Sequence, residues 1–372
     1  MQTNIIRTAS GLKEIQSQWS DMLSDSDFQT PFHSLIWYQK WFECFGAGKD
    51  LFVVGAWDAS GDLVAIAPLV KTETNMLGVR LREISFMYNS IAPRSSILYR
   101  HDSPGMRGTE AIFATLMRQS HDWDCIRLVN VDATLPYIVG LDSIVDKGKH
   151  KFIIKEGRNS PYLRIDGSFD EYFQGHFSSK KRYNIRRNIK KFRSHPDCAI
   201  VKYTKVQDMP LALDLSFRVS RGSWKGSIGG DMGSTPENRR FYSDISEILA
   251  QRGQIAIWIA LHKQKPIASQ YQLLADGTAY LLITDFDEQY GSFSPGTALL
   301  YHVIENLYAE NFSEFDLCGD PFQYKLRWTR NMRKHVSVRI YNNNAYSRLM
   351  YYYTAKLLPI FKAIAAKTGR NR

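Results

Sequence analysis

A chain of 372 residues has room for about two domains, and an apolar fraction of 44%, with 13% aromatic, is ample for real cores. No apolar run is long enough to span a membrane, and the opening residues MQTNIIRTASGLKEIQ lack the apolar centre of a secretion signal; a cytoplasmic protein is expected. The formal charge of +11 favours phosphate-bearing partners or an anionic membrane face, without choosing among CoA, nucleotide-sugars, RNA and lipid.

In chain order, helical spacing over residues 12–22 and 34–45 precedes an apolar strand, LFVVGAWD, a turn at 59–62 and a second strand, LVAIAPLVK. LREISFMY, a helix over 109–118 and the strand CIRLVNV complete a first block, and GRNSP at 157–161 reads as the linker. A helical pattern over 236–252, IAIWIALH, a turn at 263–265 and PIASQYQLLADGTAYLLIT then repeat helix, strand, tight turn, strand. The expected fold is α/β with mixed sheets in tandem units: 1–156, 157–340 with the site, and a basic, aromatic helical tail over 341–372. Two readings of the tail stay open: it rests on an anionic inner-membrane face, or it covers a last sheet edge.

Between the blocks, SSKKRYNIRRNIKKFR (178–193) carries eight cations and no acid. Ile185, Ile189 and Phe192 recur at helical spacing, so one stripe docks and the remainder stays basic. Arg182, Arg186 and Lys190 line one face away from that stripe, and an anion-contacting role is expected over a solvated face. No helix-turn-helix or zinc-finger context surrounds the helix, so DNA is not an expected partner. The four cysteines lack CxxC spacing and the nine histidines lack an HExxH pair, so no metal is expected.

The segment 278–328 is the richest. An apolar run over 280–283 predicts a buried strand, and Asp285, Asp287, Gly291 and Ser292 a polar loop. Ser294-Pro295-Gly296-Thr297 then opens a helix, with 312–318 as a second strand. Unpaired N–H groups and the positive helix end converge at such a start, a ready site for a phosphorylated ligand; a capped crossover with nothing bound is the plainer alternative. Trp224, Lys225, Gly226, Gly229 and Gly230 read as a flexible loop able to flap over an acceptor, with Trp224 either stacking on it or packed on its own domain.

SPYLRIDGSFDEYFQGHFSSKKRYNIRRNIKKF, Trp224-Lys225-Gly226, YGSFSPGTALL and FDLCGDPFQYKLRW, in that order, resemble the successive signatures of the CelD-like acyltransferase group of the GNAT superfamily. That group is associated with bacterial exopolysaccharide and cellulose clusters and is related to the FemAB-type peptidyltransferases. The resemblance implies two tandem GNAT-like folds and transfer of an acyl group, expected to be acetyl, from acyl-CoA. The implied acceptor is an amino or hydroxyl group of a small or lipid-linked saccharide or other envelope precursor. A FemAB-like enzyme using aminoacyl-tRNA, and a non-catalytic accessory protein of polysaccharide biosynthesis, remain the alternatives.

The GNAT pyrophosphate loop, Gln/Arg-x-x-Gly-x-Gly/Ala, aligns with residues 291–296: Gly291 replaces Gln/Arg, Ser294 replaces the first glycine, and Gly296 is kept. Gly291, Ser294, Gly296 and Thr297 are the implied donor contacts. In GNAT folds the thioester lies where two parallel strands splay, here 280–284 and 312–318. Asp285 and Asp316, near the ends of those strands, are the candidate bases. Tyr324-Lys325 is similar to the aromatic–Lys pair of the FemAB pattern, which implies Lys325 at the oxyanion; a loop-end surface lysine is the plainer reading. Arg182, Arg186, Lys190, Trp224, Lys225 and Tyr324 complete the expected substrate contacts.

Overall fold

The computed structural model describes residues 1–76, 78–145 and 150–359. The first half runs β1 (Gln2–Ile6), α1 (Ala9–Glu14), α2 (Gln16–Ser24), α3 (Leu35–Phe45), β2 (Lys49–Leu51), β3 (Val53–Trp57), β4 (Leu63–Ala67), β5 (Leu69–Met76) and β6 (Val79–Phe86). It continues with β7 (Leu98–Tyr99), α4 (Ser103–Arg118), β8 (Cys125–Asp132), α5 (Pro136–Val139), α6 (Leu141–Ile144) and β9 (Lys151–Glu156). The second half opens with β10 (Ser160–Arg164), α7 (Phe169–His176), α8 (Ser179–Arg193), β11 (Cys198–Tyr203), α9 (Met209–Gly222), α10 (Trp224–Ser227) and α11 (Pro236–Gln251). It closes with β12 (Ile255–His262), β13 (Lys265–Ala275), β14 (Thr278–Phe286), α12 (Pro295–Ala309), β15 (Glu314–Asp316), α13 (Gln323–Leu326), β16 (Met332–Arg333), β17 (His335–Tyr341) and α14 (Ala345–Tyr352).

The two halves repeat one plan. In the first, β5 is antiparallel to β6, and α4 crosses over to β8, which lies parallel to β6. In the second, β13 is antiparallel to β14, and α12 crosses over to β15, parallel to β14. The molecule is an α/β protein with mixed sheets, as the alternation of strand and helix patterns predicts.

The sheets are not divided where the sequence divides. β10, which follows the first half, enters the second half's sheet between β15 and β16; β17, which follows the second half, enters the first half's sheet between β8 and β9. Residues 335–340, grouped by sequence with the second unit, thus lie in the sheet of the first. The segment read as a linker is pinned at this exchange. Gly157 donates its N–H to the His335 carbonyl at 2.8 Å, and a Cβ there would stand 3.0 Å from that carbonyl. A second departure concerns LVAIAPLVK: Pro68, which offers no N–H to a ladder, separates β4 from β5, and the two belong to different sheets.

One core runs through both halves. Phe241 of α11 packs edge-on to Trp37 of α3 with ring centres 5.0 Å apart, and Phe32 meets Tyr280 of β14 at 5.2 Å. On the opposite face of the second sheet, Ile185, Ile189 and Phe192 of α8 are buried with the apolar side of α12, as their spacing predicts. Met350 of α14 is buried against Leu81, Cys125 and Tyr341. Residues 360–372, the rest of the expected tail, lie outside the described residues. Among the described residues no helix is long and apolar enough to cross a membrane.

Candidate active site

β14 and β15 pair only from Thr278↔Glu314 to Tyr280↔Asp316 and then part. Just past that point β14 carries an extra residue: Tyr271 faces Ile283 and Gln272 faces Leu281, which leaves Leu282 without an opposite number and bends the strand. A cavity of about 320 Å³ lies at the far end of β14. Thr284, Asp285 and Phe286 form one wall, Gly291 and Ser294 to Thr297 another, Trp224, Tyr324 and Arg327 the rim, and the buried Trp328 also lines it. Thus Asp285, Gly291, Ser294, Gly296, Thr297, Trp224 and Tyr324, expected from sequence to share a site, do line one cavity.

The start of α12 is built for an anion. Ser294, standing where the GNAT loop has its first glycine, has φ 51° and ψ 46°, the left-handed conformation glycine would adopt freely. In that conformation its side chain makes no cap; the Thr297 N–H turns back to the Ser294 carbonyl at 3.1 Å, and the Gly296 N–H is left open. The equivalent helix of the first half differs. Asp102 caps α4 by accepting the Gly105 N–H at 2.8 Å, placing a carboxylate where an anion would bind. Only the second half keeps its helix start available. Lys191 of α8 reaches the same loop, donating to the Ser292 carbonyl at 2.8 Å.

Asp285 is 5% exposed. Lys225 Nζ lies 2.6 Å from its Oδ1, and Ser220 Oγ donates to Oδ2 at 2.7 Å. Ser220 is itself fixed by accepting the Met232 N–H at 2.8 Å. Burial pushes the Asp285 carboxyl above its ordinary value, outweighing the opposing pull of Lys225 and Ser220. The result is an oriented carboxylate with raised proton affinity beside an open helix start. Lys225 does not line the cavity; it stands behind Asp285 and holds it. The segment expected to be a flexible flap is the single helical turn α10, capped by Ser223. Gly226 serves close approach there, since a Cβ would fall 2.0 Å from the Arg221 carbonyl oxygen.

Other expected residues are placed elsewhere. Asp316 is fully buried and bonded by Arg94, by Arg333 at 2.8 Å and by the Cys318 N–H at 2.8 Å. Burial opposes its charge, yet the two guanidinium groups prevail and hold the carboxyl below its usual value. A carboxylate so saturated is a poor base; it fastens the halves together. Lys325 is a buried lysine rather than a surface one. Its Nζ donates to the Cys318 carbonyl at 2.6 Å, bracing the left-handed pair Cys318 and Gly319, and burial lowers its pKa to about 8. It does not line the cavity.

On α8, Arg182 donates to the Gln174 and Phe177 carbonyls and so caps α7, while Arg186 lies over the Phe173 ring at 5.4 Å. Lys190 lies with Arg186 and Arg193 along a separate groove beside Tyr301. Sequence reasoning passed over Ser220, Phe286 and Arg327. Ser220 carries no signal beyond being a polar residue within an apolar helix pattern, and Arg327 and Phe286 adjoin motifs already noted.

Residues 179–326 match the acetyltransferase (GNAT) domain family. No curated protein sequence matches the chain. Among solved structures, a conserved protein of unknown function from Bacteroides thetaiotaomicron is similar with a TM-score of 0.55 at 12% identity, covering 92% of this chain and 100% of that one. FemX is similar with a TM-score of 0.55 at 11% identity over 94% of this chain and 99% of its own. The C-terminal domain of a protein assigned as a lysylphosphatidylglycerol synthetase, from Agrobacterium fabrum, gives 0.53 at 10% identity over 93% and 97%. Residues 179–326 are thus similar to a GNAT acetyltransferase domain, and the fold of the whole chain is similar to that of these structures.

Proposed function

We propose that the protein is an acyltransferase that moves an acyl group, acetyl in the simplest case, from acyl-CoA to an amine or hydroxyl of a saccharide or other envelope precursor. One observation carries this reading: the start of α12 and the raised carboxylate of Asp285 line the same cavity at the end of β14. The CoA pyrophosphate would meet the Gly296 N–H and the positive end of α12, with Arg327 at the rim. The acceptor loses its proton to Asp285 as its lone pair attacks the thioester carbon. When the tetrahedral intermediate collapses, the C–S bond breaks and the CoA thiolate takes up a proton. Lys225 and Ser220 keep Asp285 oriented.

The rim supports a sugar as acceptor. Trp224 is 49% exposed there, beside Phe286 and Tyr324, and the Tyr324 ring stacks on Phe322; such flat apolar faces suit a pyranose. Action in the cytoplasm, or peripherally at the inner membrane, belongs to the same proposal. The test is release of free CoA thiol from acetyl-CoA, which should depend on added acceptor. Absence of release across amino- and hydroxy-sugar acceptors would instead favour an accessory role.

A second reading, an aminoacyl-tRNA donor, is favoured by the exposed cations Lys180, Lys181, Arg187 and Lys190 of α8, which have no acidic partner among the described residues. RNA that stays bound through moderate salt, and is lost on nuclease treatment, would support it.

A further inference from the structure

Three metal-ligating side chains converge at the corner between α8 and β11, outside the acyl-transfer cavity. His195 sits in the turn after α8, Cys198 opens β11, and His262 closes β12 directly opposite Cys198 in the antiparallel ladder. One donor atom from each lies within 4.8 Å of the other two. The His195 and His262 rings are 4.9 Å apart at 71°, edge to face, and the Nδ1 of His195 also accepts the Asp197 N–H at 3.4 Å. The Nε2 of His262 is buried with no hydrogen-bond partner, and Cys198 is a free thiol. An orphaned buried imidazole nitrogen is costly unless something takes its lone pair or its proton.

We propose that His195, Cys198 and His262 form a binding site for a borderline divalent transition-metal cation, Zn²⁺ foremost, with water as a fourth ligand. Two imidazoles and one thiolate are the donor set such ions prefer, and the lack of any carboxylate in the cluster argues against Ca²⁺ and Mg²⁺. Tetrahedral coordination at the usual bond lengths puts donor atoms about 3.5 Å apart. The cluster therefore has to contract by roughly 1 Å, within reach of side-chain rotation at this half-exposed corner.

The position gives the ion a structural task. Both histidine rings pack on Phe293, at 5.8 and 4.8 Å, and Phe293 is the residue just before Ser294. A metal here ties the end of α8 and the end of β12 to the loop that shapes the start of α12. It does not enter the cavity, and the proposal does not depend on which acyl donor is used.

The test uses the full chain stripped with chelator and titrated with Co²⁺, followed by optical spectroscopy. Saturation at one equivalent is expected, with the intense visible bands of tetrahedral Co²⁺ and a thiolate-to-metal charge-transfer band, both abolished by one equivalent of Zn²⁺. Cys198→Ser should lose the charge-transfer band, and His262→Ala should bind at least tenfold more weakly. The remaining cysteines, Cys44, Cys125 and Cys318, are buried and cannot substitute. Zn²⁺ should raise the melting temperature of the unaltered protein and not that of His262→Ala. Weak octahedral spectra from the unaltered protein, or an unchanged charge-transfer band in Cys198→Ser, would overturn the proposal.

Discussion

Asp285 carries its charge against the pull of burial, a cost that Lys225 and Ser220 reduce without cancelling. Replacing it with asparagine keeps the shape and removes the charge. The expected outcome is a fall in kcat of about 10²–10⁴-fold, the scale for loss of a general base, in a protein no less stable in urea than the original. The pH profile follows from the sign of the shift. A raised carboxyl takes up its proton at a pH above that of an ordinary aspartate, so the acid limb of kcat/KM should lie above about 4 and vanish in Asp285→Asn. Ser294 offers a second test at this scale. Its left-handed backbone tolerates serine but disfavours a β-branched side chain, so Ser294→Val should cost about 1–2 kcal/mol in thermal unfolding and weaken donor binding with it.

Elements with a clean period were readable in advance: α8 docks by Ile185, Ile189 and Phe192, and α12 begins at the Ser-Pro-Gly-Thr signature. Partnerships between distant segments were not. Nothing local in HVSVRIY says that it joins β8 and β9, because antiparallel pairing is indifferent to sequence distance. The same blindness placed Asp316 in the site on the strength of its strand end, when Arg94, 222 residues away, neutralises it. Lys325 reads from sequence as an oxyanion contact or a surface lysine, and its burial is not legible there. The cations of α8 divide in a way only packing reveals, and this gives a prediction. Arg182→Glu should destabilise the protein by about 1 kcal/mol in chemical unfolding, since it uncaps the α7 carbonyls. Glutamates at Lys180, Lys181, Arg187 and Lys190 together should leave stability nearly unchanged and weaken retention on a polyanion resin; equal loss of stability in both would show that the division is wrong.

The exchange of β10 and β17 makes the halves one cooperative unit, and the Arg94–Asp316 pair lies across their junction. Arg94→Met leaves a fully buried carboxylate with Arg333 as its one cation beside the Cys318 N–H, and should cost about 3–5 kcal/mol in a single urea transition. Two separated transitions would instead mean that the halves unfold independently. The same junction makes the molecule acid-labile through His33, whose pKa is pushed down to about 3 by burial and then by the Arg94 charge. Between pH 6.5 and 3 the unfolded chain binds a proton at this side chain that the folded protein refuses, so stability falls as pH falls through that window. The histidine contributes about 2 kcal/mol of loss between pH 7 and 5, and His33→Gln should remove that much from the measured pH dependence.

The central claim, that the start of α12 holds an acyl-CoA beside Asp285, is tested most directly by calorimetric titration of acetyl-CoA into the unaltered protein and into Gly296→Asp. A Cβ at Gly296 would meet the Phe286 ring at 3.4 Å, ordinary contact distance, so the variant should fold and melt nearly as the original does. The aspartate puts a negative charge at the helix start where the pyrophosphate would sit. Binding by the unaltered protein and a loss of at least a hundredfold in the folded variant is the predicted result. Equal affinity in both, or no binding by the unaltered protein, would contradict the account.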